Sequence, residues 1–388
     1  MATGVRRYEV VIVGGGITGL LCAHKLSSIG LRTALIEREP QLATGPSTRN
    51  EGWLHRGTYH AVSIKDRTIA VQVARRCIYG HEQIRHFAPE AIETIDSSAF
   101  ALVREADRVD EVVSRWDEAG VAFKPIGALQ ARQFLDGIDL DRAAAIFEVA
   151  DVSINTRLVY RKLLAAAQRA GVDLFVGASI THIDADDVAM RLTVESDKHL
   201  TLVSEKIVYA VGFGASELFE RFFGIKVPIR FWKSHLIVTP RISPHGVFFV
   251  DPHEAAMMQH GGYSIVGLNE DALLCPTADY NVVPDRADNL YRALSRLAPN
   301  WHANRYINVA CTKVDLTLDN RAARSLAIAI HEPLPGHICV LPGKMTEAPY
   351  LADVITRQIY ERSHEPLISQ RPCDVFSSRL EGIVEHAV

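Results

Sequence analysis

Tyr8-Glu9-Val10-Val11-Ile12-Val13-Gly14-Gly15-Gly16-Ile17-Thr18-Gly19 is the stretch on which the reading of this chain turns. Its first half is β-branched, short and apolar on both faces, the pattern of a central parallel strand covered by helices on each side. Gly14 to Gly19 then satisfies G-x-G-x-x-G, and each glycine has a physical reason. The first permits a tight turn out of the strand, the second lets backbone approach a pyrophosphate, and the third lets helix and strand pack closely. From Thr18 to Ser28, Leu20, Leu21, Ala23, His24 and Leu26 support a helix, Gly30 stops it, and Thr33-Ala34-Leu35-Ile36-Glu37 reads as a second strand. The start of that helix presents free N–H groups and a positive dipole end to phosphates. Glu37, at the end of the second strand, can accept hydrogen bonds from a ribose diol and repels a 2′-phosphate, so NADP is disfavoured. A glycine triplet alone could be an ordinary turn; a strand before it, a helix after it and an acid closing the next strand make it a dinucleotide site. On these residues NAD and FAD both remain open.

Composition bounds the rest. The 388 residues, 48% hydrophobic and 23% charged, allow a large core and two or three domains. A net charge of −4 provides no basic field for a nucleic acid or an anionic membrane. No run of about 18 or more apolar residues suggests a transmembrane segment. The N-terminus enters the first strand without a signal-peptide core, so the expected location is cytoplasmic. The six cysteines form no CxxC pair and the sixteen histidines no HxH or HExxH, so no metal is expected.

Downstream, residues 66 to 120 read as a mainly helical insertion, with Ile69, Val73, Cys77 and Ile78 at helical spacing and a second amphipathic stretch from Asp107 to Ala119. Arg157 to Gly171 reads as a helix. Asp173 to Val176, Ala178 to Ile183, Arg191 to Val194 and Lys206 to Val211 read as strands, and residues 227 to 266 as an antiparallel sheet. His337 to Leu341 is the final strand, before a helix near Ala348 to Arg362. The expected fold class is α/β, α+β overall: a Rossmann-like FAD-binding domain (1–75, 150–215 and 325–388) interleaved with a mostly antiparallel-sheet substrate domain (76–149 and 216–324).

Pro46-Ser47-Thr48-Arg49-Asn50-Glu51-Gly52-Trp53-Leu54-His55-Arg56-Gly57-Thr58-Tyr59-His60 contains N-x-G-x-x-H-x-G. It resembles the corresponding segment of the D-amino-acid-oxidase-like FAD superfamily, on the branch of L-2-hydroxyglutarate and FAD-linked glycerol-3-phosphate dehydrogenases. Asn155 to Ile183 is similar to the family's helix and adenine-side strand, Ala210-Val211-Gly212-Phe213-Gly214-Ala215 to its A-x-G-x-x-[SA] turn, and Pro342-Gly343-Lys344-Met345-Thr346 to the G-K-x-T turn. The resemblance implies FAD, held non-covalently, although relatives can attach it through His or Cys. It implies that Gly14, Gly16 and Gly19 cradle the pyrophosphate, with Ile17 and Thr18 opening the helix beside them, and that Glu37 holds the ribose next to Arg38. Thr48, Arg49, Asn50, Gly52 and Trp53 would run along the flavin, Ile180 would contact adenine, and Gly212 would pass close to the cofactor. Gly343, Lys344, Met345 and Thr346 would lie at the flavin's pyrimidine edge, where backbone N–H groups at a helix start can stabilise the charge of the reduced ring. The chain departs from the family at Cys311-Thr312-Lys313-Val314-Asp315, where an arginine is usual, and at Phe231-Trp232-Lys233-Ser234-His235, in place of an R-G-x-Y-like run. Lys313 keeps the charge and loses bidentate geometry.

The chemistry then expected is hydride transfer from a CH–OH of a small, anionic hydroxy acid or polyol-type metabolite to flavin N5. His55 is the first candidate for the base, against the alternative of a structural hydrogen-bonding His. Tyr59 and His60 come second, as groups that either act on substrate or cap a turn. Arg321 and Arg324 stand either at the pocket mouth or in surface ion pairs. CH–NH oxidation of an amino acid or amine is the nearest rival; a flavin binder without turnover and an NAD-dependent dehydrogenase are the others. The acceptor, whether oxygen, quinone or a carrier, and the oligomeric state are not legible.

Overall fold

The computed structural model describes residues 4–93, 99–185, 189–196, 199–269, 272–302, 305–316, 326, 328–341 and 343–363. Two large sheets form among them, of eight and nine strands. The strand Gly4–Val13 lies at the centre of the first, and Val10, Val11, Ile12 and Val13 are all buried, because both faces of the sheet are covered. It pairs in parallel with Thr33–Ile36 on one side and His199–Tyr209 on the other. Asp173–Phe175 extends the parallel set beyond Thr33–Ile36, and His337–Leu341 extends it beyond His199–Tyr209.

The helices Ile17–Ser28, Thr156–Arg169 and Ala348–Ser363 pack together on one face, burying Val10, Ile12, Leu20, Leu26, Leu163 and Ile355 in one cluster. The other face differs from expectation. It is covered chiefly by β-structure, the antiparallel strands Ser179–Ala185 and Met190–Glu195 that lead into His199–Tyr209, with the helix Ala215–Phe223 beside them. Leu192, Leu202, Tyr209 and Phe219 supply its apolar contacts. A strand apolar on both faces reports only that both are buried, not what buries them.

In the second sheet, Ile229–Pro240, Tyr263–Leu268, Ala255–His260 and Gly246–Phe249 run as an antiparallel series. The long strand Ile307–Leu316 pairs along the outer side of Ile229–Pro240 from Val238 to Ile229. Beyond Gly246–Phe249 the sheet continues into Ala99–Val103, Ala145–Val149 and Phe123–Pro125. The expected helical stretch at 66–120 thus holds the helices Arg67–Phe87 and Val109–Ala119 and, between them, the strand Ala99–Val103. All five residues of that strand are buried, so its sequence carries no alternation to betray it. The helix Pro284–Leu297 closes one face of this sheet with Leu290, Leu294 and Leu297.

Candidate active site

The first strand and its helix meet at a turn made of backbone. Gly14 N donates to Ile36 O at 2.8 Å and Ala210 N to Val13 O at 2.8 Å, so three strand ends converge there. Gly14 has φ 105°, and a Cβ on Gly19 would lie 2.0 Å from the Gly14 carbonyl oxygen. Gly19 is therefore where the helix crosses the strand end. The Gly16 N-cap of Ile17–Ser28 has no side chain of its own, and no acidic residue stands in the first turn. Glu37 accepts from Gly15 N at 2.7 Å and from Glu39 N at 2.9 Å, and Ser47 Oγ accepts from Ile17 N at 2.9 Å. Tyr160, from the helix Thr156–Arg169, donates to the Gly15 carbonyl.

From this turn a cavity of about 1500 Å³ runs to the second sheet. Of the residues singled out from sequence, Gly14, Gly16, Ile17, Thr18, Glu37, Arg38, Arg49, Asn50, Trp53, His55, Tyr59, His60, Ile180, Gly212, Lys313, Gly343, Lys344, Met345 and Thr346 line it. Three stand behind the wall. Gly19 makes the helix crossing, Thr48 donates to Ala43 O at 2.6 Å within the loop of residues 37–52, and Gly52, at φ 62°, sits where a Cβ would fall 2.3 Å from the His260 ring. Arg321 and Arg324 lie outside the described residues.

The end of this loop is held by the Asn50 side chain. Asn50 Nδ2 donates to the carbonyls of Pro46 and Ser47, both at 3.1 Å, and Asn50 Oδ1 accepts from Gly52 N at 2.9 Å. Trp53–Leu54 pairs antiparallel with Val152–Ser153. Next to that pair the buried Asp151 accepts from Trp53 Nε1 at 2.9 Å, from Arg56 N at 3.0 Å and from the Thr58 hydroxyl. Burial raises the Asp151 carboxyl above its ordinary range, and the three donors pull the other way.

His55 keeps 18% of its side-chain surface accessible, in the cavity wall. Its ring lies against Trp53 with centroids 4.4 Å apart, and Nδ1 is 3.9 Å from Asp151 Oδ1, beyond hydrogen-bond reach. Burial pushes the imidazole well below its usual pKa; the Lys344 cation lowers it further, and Glu51 partly offsets this. His55 is therefore uncharged at neutral pH. Lys344 Nζ is tied to Glu347 at 2.9 Å and to Leu326 O at 3.0 Å. The turn Met345–Glu347 that follows is pressed onto the helix Arg67–Phe87 at Gly80, where a Cβ would meet Thr346 O at 1.7 Å.

Lys313, in Ile307–Leu316, reaches the same cavity, where its Nζ meets the Glu51 carboxylate at 2.6 Å. Sequence reasoning missed Glu51, Asp151, Ser47, Tyr160 and Tyr280 as site residues. Glu51 occupies a variable position of the N-x-G-x-x-H-x-G pattern, and Asp151 has no local signature, since its three partners lie more than ninety positions away. Among the described residues no group of three or more His, Cys, Asp or Glu is placed to hold a metal, and no helix is long and apolar enough to cross a membrane.

A dinucleotide fits these features. The helix start with no acidic residue in its first turn, the glycine turn before it, the carboxylate of Glu37 and the open space around Gly212 lie along one continuous cavity. Comparison with known proteins agrees. A family model described as DAO, FAD dependent oxidoreductase, matches residues 9–318. The chain is similar to an anaerobic glycerol-3-phosphate dehydrogenase subunit of Escherichia coli K12, 25% identical over 410 residues, spanning 98% of this chain and 71% of that protein. It is also similar to the L-2-hydroxyglutarate dehydrogenase of Indibacter alkaliphilus, 31% identical over 108 residues, 27% of this chain and 25% of that protein. Among solved structures, the L-α-glycerophosphate oxidase of Mycoplasma pneumoniae with FAD bound superposes with a TM-score of 0.72 at 16% identity, covering 95% of this chain and 97% of that one. The glycine oxidase of Geobacillus kaustophilus does so with a TM-score of 0.71 at 18% identity, covering 92% and 95%. At such identities the two structures show a common fold and nothing finer.

Proposed function

The chain belongs to the DAO family of FAD-dependent oxidoreductases, and from that premise we propose that it oxidises a CH–OH carbon of a small hydroxy acid or polyol-type metabolite, with His55 taking the hydroxyl proton. Gly14, Gly16, Ile17, Thr18, Glu37 and Arg38 would hold the ADP half of FAD. Arg49, Asn50, Trp53 and the turn from Gly343 to Thr346 would hold the flavin half. Bound FAD supplies the two-electron acceptor. The chain's own residues must orient the substrate carbon, exclude water and accept the proton.

His55 is the observation that carries this reading. It is a neutral imidazole in the cavity wall, fixed by its contact with Trp53 and open to a ligand. A protonated imidazole could not accept a hydroxyl proton; one held uncharged through neutral pH can. The relatives support the substrate class, since the names of both describe oxidation at a carbon bearing a hydroxyl. The second reading is CH–NH oxidation, the chemistry described by the name of glycine oxidase, which shares this fold.

The two are separated by mixing the FAD-loaded protein anaerobically with a panel of hydroxy acids, polyol phosphates and amino acids and following loss of the flavin's visible absorbance. Bleaching by hydroxyl compounds supports the proposal, and bleaching by amino acids alone replaces it with the second reading.

A further inference from the structure

One ring nitrogen of His55 is shut away from the cavity. His55 Nδ1 is buried and has no hydrogen-bond partner among the described residues, although the residue lines the cavity. The nitrogen left to meet a ligand is therefore Nε2. Two aromatic neighbours hold the ring: Trp53 lies against it with centroids 4.4 Å apart, and the His60 ring meets it edge-on at 4.5 Å. In a neutral imidazole one nitrogen carries the proton and the other the lone pair. For Nε2 to accept a proton, the existing one must sit on Nδ1, where a buried N–H without an acceptor is costly.

An acceptor stands one small movement away. Asp151 is fully buried outside the cavity wall, and its Oδ1 is 3.9 Å from His55 Nδ1. Trp53 Nε1 and the Arg56 amide can only donate to it, and the Thr58 hydroxyl is its third partner. A carboxylate offers about four acceptor positions, so there is room for a fourth donor. A shift of about 1 Å brings Nδ1 into hydrogen-bond range. The Trp53 that donates to Asp151 also packs on the His55 ring, and Arg56 follows His55 in the chain, so carboxylate and imidazole share one frame. Lys344, Lys313 and His81 oppose an imidazolium at this position, and Glu51 favours one from the cavity side.

We propose that Asp151 is the positioning residue of the proton transfer: it accepts the Nδ1–H of His55, fixes the tautomer whose lone pair is on Nε2, and stabilises the imidazolium formed when Nε2 takes the substrate's proton. The proposal rests on the reading of His55 as the base. The proton leaves the substrate's O–H and ends on Nε2, the hydrogen of the broken C–H bond leaves with its electron pair to bound FAD, and Asp151 takes up neither. The Nδ1–H hydrogen bond shortens as charge develops on the ring, so it contributes more after the transfer than before.

The test uses the FAD-loaded full chain carrying histidine isotopically labelled at its ring nitrogens, the His55 signals being those lost in His55→Ala. Nitrogen NMR shifts separate a protonated from an unprotonated ring nitrogen, and the native His55 is expected to carry its proton on Nδ1 at pH 7.5. In Asp151→Asn the amide oxygen can keep Trp53 and Arg56 while its N–H donates to Nδ1, so the proton should move to Nε2. Anaerobic bleaching by the hydroxy acid or polyol phosphate that reduces the native protein should then slow by at least about tenfold at saturating substrate, with FAD still bound. A native His55 protonated on Nε2 overturns the proposal whether or not the variant folds. An Asp151→Asn protein with the native tautomer or the native rate also overturns it, and if His55→Ala is slow the base stands without this partner. Bleaching of His55→Ala at the native rate instead removes the base reading itself, and this proposal with it.

Discussion

Around Gly14 the cavity wall is backbone, whereas around Lys313 it is charged side chains in pairs. At the first end the constraint is steric: Gly14 and Gly19 hold their places because a methyl group would strike a carbonyl. At the second end it is electrostatic: Lys313 answers Glu51, and Lys344 answers Glu347. A steric wall suits a ligand that is the same in every turnover. An electrostatic one can be retuned by exchanging a charge, and this end carries Lys313, where the family resemblance leads one to expect an arginine. The difference predicts that changes at the glycine end act on folding and cofactor retention, and changes at the other end on rate and selectivity.

The largest effect is expected from Gly19→Ala, whose added carbon would lie 2.0 Å from the Gly14 carbonyl oxygen. Strain of that kind costs about 1–3 kcal/mol or more, and here it falls on the phosphate turn. Denaturant midpoint and FAD per chain should both drop; a variant that keeps a full complement of FAD at native stability would break the steric account. Gly80→Ala should come next, because its methyl would push Thr346 and the turn at Lys344 out of place. We expect weaker FAD retention, measured by ultrafiltration, with the helix content in circular dichroism preserved.

Lys344→Met sharpens the electrostatic side. Burial and the Lys344 charge both lower the His55 pKa, so in the native protein the proton-accepting form persists below pH 6.5 and is lost only as pH falls through the depressed value. Removing the Lys344 cation raises that pKa, and the acid limb of the kcat/KM profile should move toward higher pH. A profile that stays fixed, or moves to lower pH, would detach Lys344 from His55. The smallest effect should come from Asn155→Ala. Asn155 caps the helix Thr156–Arg169 by accepting from Leu158 N at 3.1 Å, and its loss costs about 1 kcal/mol, visible in Tm with the flavin spectrum unchanged.

The same contrast explains what could be read from sequence. Backbone demands are local, so the glycine turn, its strand, its helix and Glu37 were legible from some thirty consecutive residues. Gly212 and the turn from Gly343 to Thr346 needed the family resemblance, since nothing in their own spacing points to a cofactor. Charge pairing is a product of the fold. Lys313 was legible as a cation, but its partner Glu51 was not, because the two lie 262 positions apart and meet only in the folded chain, where Lys313 of the strand Ile307–Leu316 reaches the Glu51 carboxylate. Gly80 looks like an unexplained helix glycine until Thr346 is seen against it. The strand Ala99–Val103 escaped because an apolar run of five buried on both faces has no period to read.

The most direct test of the account is the anaerobic rate of flavin bleaching by a hydroxy-acid substrate, compared between the native protein and His55→Ala at pH 7.5. The account predicts that the variant keeps its FAD and is reduced roughly 10²-fold or more slowly, the scale of a lost general base. Reduction of the variant at the native rate would contradict it.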